Sequence, residues 1–157
     1  QAPAWNTVTK AFANNSDVAF GDVNLSEEEI RGDHNPGAGG WPTIRFFNKK
    51  TGYGGEAYKQ KTSDAMCDEL GKDSYMQAYV EEAGDTALCL VSDGKGCDEK
   101  SVAFIEEWKG KDKEAVDEQI HRLKGMANSK MRPEGKEWVT KRLAILKQFH
   151  KPSKDEL

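Results

Sequence analysis

The sequence predicts two units in series, an α/β unit followed by an all-helical one. Two observations predict it. Up to about residue 88, β-rich runs alternate with helical runs; from residue 97 onward, apolar residues recur only at helical spacing. The charge changes sign at the same place. Residues 1–94 carry 8 Lys/Arg against 15 Asp/Glu, a formal −7, and residues 95–157 carry 15 against 12, a formal +3. The 157 residues suffice for one or two small domains with a core. No apolar run approaches the roughly 18 residues of a membrane span, so no membrane insertion is expected. The positive half interleaves its lysines with acids, which reads as a solvated surface, and no nucleic-acid partner is expected.

The elements follow in order. Trp5, Val8 and Phe12 lie at helical spacing in residues 2–14, with the stripe already under way at the first residues and no N-cap before it. "VAFGDVNL", residues 18–25, alternates and predicts a strand. Ser26 followed by Glu27, Glu28 and Glu29 predicts a helix start, and Gly32 with "HNPGAGG" ends that helix soon after. "TIRFFN" predicts a second strand, "KKTG" a turn and "GGEAYKQK" a third strand. Ser63 is the expected cap of "SDAMCDEL", and "SYMQAYVEEAG" is helical with Tyr75 and Tyr79 inward. Three amphipathic stretches then suggest a small bundle. Val102, Ile105 and Trp108 mark the first, Val116, Ile120 and Leu123 the second, and Val139, Leu143 and Leu146 the third.

One feature breaks the strand grammar. In "GGWPTIRFF", residues 39–47, Pro42 stands at the mouth of a strand although it has no N–H to give a ladder. Gly40-Trp41-Pro42-Thr43-Ile44, preceded by the "APAW" helix and by "VAFGDVNLSEE" with Asp22, resembles the Gly-aromatic-Pro-Thr region of the protein disulfide isomerase family over about residues 2–83. The final four residues, Lys154-Asp155-Glu156-Leu157, are an endoplasmic reticulum retrieval signal. The helical half is more loosely similar to the all-helical domain that follows thioredoxin-like domains in some lumenal chaperones and isomerases.

The resemblance implies an α/β thioredoxin-like fold, N-terminally truncated, in residues 1–88, and a joint at 89–97. It implies a helical C-terminal domain at 98–150 and a tail at 151–157. It implies a thiolate nucleophile at a helix N-terminus and a second, resolving cysteine. Pro42, expected in cis, would turn the Trp41 backbone toward that pair, where an extended client could add as a strand. Trp41, Pro42 and Thr43 are therefore the expected substrate-binding residues. The chain departs from the family in having no C-x-x-C, so no catalytic residue is expected within it. The redox pair is expected upstream of Gln1, and the chain is expected to be a piece of a longer protein.

Cys67, Cys89 and Cys97 permit three single pairings. Cys89 and Cys97 bracket a turn-rich "LVSDGKG" and are the preferred structural pair, with Cys67 to either of them, or to a residue upstream of Gln1, left open. His34, His121 and His150 are dispersed, so no metal is expected, and no cofactor. Asn14-Asn15-Ser16 and Asn24-Leu25-Ser26 are glycosylation sequons, with Asn14, at a helix end, the better candidate.

The expected function is that of a thiol–disulfide oxidoreductase/isomerase of the endoplasmic reticulum lumen. Its partners would be folding secretory proteins and the KDEL retrieval receptor. The alternatives are a non-catalytic lumenal chaperone or adaptor that holds clients on the same loop, and a structural subunit bound through the apolar helical face.

Overall fold

A computed structural model describes residues 2–30, 42–129 and 131–150. In chain order these form α1 (Ala2–Ala11), β1 (Arg45–Phe46), β2 (Glu56–Ala57), α2 (Met66–Glu69) and α3 (Asp73–Gly84). Then follow α4 (Glu99–Trp108), α5 (Lys113–Ala127) and α6 (Pro133–Gln148). The α/β thioredoxin-like expectation is overturned: among the described residues there are six helices and a single two-stranded sheet. The sheet is an antiparallel ribbon pairing Arg45 with Ala57 and Phe46 with Glu56.

The physical reason is the want of ladder partners. A strand's backbone groups must be paired by a neighbour, whereas a helix satisfies its own. Residues 18–24 are β-rich yet belong to no ladder among the described residues. Their apolar side chains still pack inward: Phe20 meets the Trp5 ring edge-on at 5.5 Å and tilts against Phe12 at 6.1 Å. The third expected strand shrinks to Glu56–Ala57. Instead of a helix from Ser26, residues 25–27 form a turn closed by Glu27 and Glu28 amides donating to the Asn24 carbonyl (3.0 and 2.8 Å). Helix α2 starts at Met66 behind an Ala65 cap without a side-chain bond, so Ser63 is not its cap.

Two apolar clusters organise the molecule. In the first, Ala4, Val8 and Phe12 of α1 bury against Leu70 and against Met76 and Val80 of α3. In the second, Phe104 and Ile105 of α4, Val116, Ile120 and Leu123 of α5, and Val139, Ile145 and Leu146 of α6 close a three-helix unit. Val102 is 43% exposed; Ser101, Phe104 and Ile105 turn inward instead. Asp98 and Asp112 cap α4 and α5 by accepting from the amides of Ser101 (2.7 Å) and Ala115 (2.8 Å). Helix α3 packs against both α1 and α6 and so joins the two clusters.

Candidate functional site

Pro42 and Thr43 lie half-buried just before β1, and Ile44 accepts the Tyr58 amide at 2.9 Å. Trp41, the third expected client-binding residue, lies outside the described residues, as do His34 and the expected retrieval signal at 154–157. The ribbon is held to α3 from two sides. The Tyr79 ring stands edge-on to Phe46 (5.9 Å) and to Tyr58 (4.7 Å). Asn48 folds the hairpin by accepting from the amides of Lys50 (2.9 Å) and Thr51 (3.0 Å), and its Nδ2 donates to the Ala83 carbonyl at 3.0 Å. β1 is laddered along its β2 edge, and no further strand lies beside it among the described residues.

Cys89 and Cys97 are joined by a disulfide, and Cys67 is an exposed free thiol in α2. Backbone bonds within the loop close it: Leu90 N to Lys95 O at 2.9 Å and Gly94 N to Leu90 O at 2.8 Å. Gly94 and Gly96 take φ of 71°, where glycine carries no Cβ penalty. A Cβ on Gly96 would also run into the Leu88 carbonyl oxygen. Gln148 of α6 reads the loop with both ends of its amide. Its Nε2 donates to Cys89 O (2.8 Å), and its Oε1 accepts from Val91 N (3.1 Å).

Helix α4 begins directly after Cys97, an arrangement that in other settings lowers a thiol's pKa. Here Asp98 already occupies the helix N-terminus. Hydrogen bonds from the Ser101 amide and hydroxyl, with Lys141 at 3.1 Å, hold its carboxyl down at about 2. The Cys97 sulfur faces carbonyl oxygens, Lys95 O at 3.6 Å and Leu90 O at 3.7 Å. Negative charge at this sulfur would meet both carbonyl oxygens, a setting that disfavours a thiolate.

Between α3, α6 and the end of α1 runs a cleft of about 1140 Å³. Two residues that sequence reasoning passed over, Glu69 and Glu81, and the inward Tyr79 organise its walls. Glu69 is 1% exposed and accepts from Lys61 N (3.0 Å), Thr62 N (2.7 Å) and Thr62 Oγ1 (2.5 Å). Glu81, also buried, accepts from Leu88 N (2.9 Å) and from Gln77 Nε2 (3.0 Å). Burial raises the Glu81 pKa against those two bonds and Lys141. The Tyr79 hydroxyl is buried without a hydrogen-bond partner among the described residues, and burial, reinforced by Glu82, raises its pKa. In the sequence Glu69 and Glu81 look like solvated helix acids; only the loops that fold over them make them interior. Asn14 is exposed at the cleft mouth, beside Asn15, whose Nδ2 donates to Thr86 Oγ1 at 3.1 Å. His121 lies on α5 and His150 just beyond α6, with His150 Nε2 3.0 Å from the Asp117 carboxylate. Among the described residues, no group of three His, Cys, Asp or Glu is disposed to hold a metal ion.

No protein-family model matches the chain, and no curated protein or solved structure does.

Proposed function

We propose that the protein assists the folding of secretory proteins in the endoplasmic reticulum lumen, as part of a thiol–disulfide oxidoreductase/isomerase. Trp41, Pro42 and Thr43 form its client-facing loop. The observation that carries the reading is the Cys89–Cys97 disulfide, because such clips persist in oxidising compartments. The Lys154–Leu157 signal supports the same compartment, and the Gly-Trp-Pro-Thr wording supports the client loop. The ribbon's geometry suits that role: an extended segment beside β1 would lengthen a two-stranded sheet. The partners are then folding secretory chains and the retrieval receptor.

One observation favours a second reading, a non-catalytic chaperone or adaptor. Cys67 is a solitary free thiol, and no C-x-x-C occurs in the 157 residues. The oxidoreductase reading therefore requires its redox pair outside them. Sequencing the transcript 5′ of the Gln1 codon separates the two. A Cys-x-x-Cys codon pair shortly before Gln1 supports the enzyme, and its absence leaves the holding function alone.

A further inference from the structure

We propose that Asn24, not Asn14, is the acceptor of an N-linked oligosaccharide. The proposal rests on the lumenal reading above, since the glycosyl donor is met in that compartment. Both residues stand in an Asn-x-Ser triplet. The two triplets differ in local geometry. At Asn24 the side-chain Oδ1 accepts the Ser26 amide at 3.1 Å, so an Asx turn spans the sequon itself, from its asparagine to its serine. The Nδ2 of Asn24 is left without a hydrogen-bond partner among the described residues. At the other site the turn is out of register by one residue. Asn15 Oδ1 accepts the Asp17 amide at 2.8 Å, and Asn15 Nδ2 is held by Thr86. The turn there belongs to Asn15-Ser16-Asp17, which is not a sequon.

The surroundings differ in the same direction. Residues 21–24 are exposed and outside helix and strand, Val23 is 47% exposed, and a Cβ built on Gly21 meets nothing within 4 Å. Among the described residues, a branched sugar at Asn24 displaces no packed group. Asn14 closes the turn at residues 12–14 that follows α1, two residues beyond the buried Phe12, and lines the cleft. A sugar at that position would fill the cleft mouth.

The donor is a polyprenyl-diphosphate-linked oligosaccharide. The Asn24 Nδ2 attacks the anomeric carbon, forming the N–C1 bond as the C1–O bond to diphosphate breaks. The nitrogen gives up one proton to a base of the transferase, and the polyprenyl diphosphate leaves. No electron is transferred.

The experiment translates the full chain behind a cleavable signal peptide in microsomes and digests it with peptide N-glycosidase. The wild type, Asn14→Gln and Ser26→Thr are expected to show one glycosidase-sensitive mobility step. Asn24→Gln and Ser26→Ala are expected to show none. After digestion of the wild type, residue 24 is expected as aspartate by mass spectrometry. A step that survives Asn24→Gln, or no step in the wild type, overturns the proposal. The lumenal reading is judged separately, by protease protection of the native protein in intact microsomes. Its failure there leaves the acceptor result of the signal-driven chain standing on its own.

Discussion

Asp98 carries three duties with one carboxylate: it caps α4, pairs with Lys141 of α6 and stands next to the disulfide. Asp98→Ala is expected to cost about 1 kcal/mol, the usual worth of an N-cap, in urea unfolding at pH 7. Asp98→Asn keeps a good cap but drops the charge and its Lys141 pair, so at pH 7 it is expected to fall below wild type and above Asp98→Ala. The acid limb separates charge from cap. The folded pKa of about 2 lies below the ordinary 3.8, so this contribution is present above pH 3.8 and fades as pH falls toward 2. Wild type should lose that increment over this window, and Asp98→Asn should not. Glu69 makes a second residue-scale case. Glu69→Ala strips the acceptor from the Lys61 and Thr62 amides and is expected to cost about 2 kcal/mol, read from the same denaturation curves. Neither acid's role was legible beforehand for the same reason. Asp98 belongs to a recognisable cap position, but its Lys141 partner is 43 residues away. Glu69 becomes interior only when residues 61–62 fold over it.

At the scale of elements, the joint between the clusters is covalent and polar together. The disulfide closes a loop of eight-residue separation, and Gln148 fastens that loop to α6. Opening it by Cys89→Ala with Cys97→Ala is expected to lower stability by about 2–3 kcal/mol on loop-entropy grounds. A matching fall should follow addition of a reductant to wild type. If the midpoint ignores both, the clip contributes nothing to the fold. Helical periodicity was legible because a helix bonds within itself: Val116, Ile120 and Leu123, spaced for one face, are all buried in α5. No strand forms at 18–25 because alternation reports burial of alternate side chains, which Val18 and Phe20 achieve in the first apolar cluster without a ladder among the described residues. Val102 was misplaced because its neighbours Ser101, Phe104 and Ile105 offer an equally regular inward face.

At the scale of the molecule, α3 holds the hairpin through Tyr79 and Asn48's bond to Ala83, and it packs on α6 of the helical unit. The β1–β2 hairpin and the helical unit thus hang on one helix. Pro42 was legible in the sequence as an exception to strand grammar, whereas the cleft beside α3 was not, since its walls come from residues more than 60 positions apart. The most direct test of the proposed function is an insulin-reduction assay with glutathione. It compares the protein as isolated from its cells with the chain of residues 1–157. The account predicts turnover by the cellular protein and none by the 157-residue chain, which lacks a C-x-x-C pair. Turnover by the 157-residue chain, or none by the cellular protein, would contradict it.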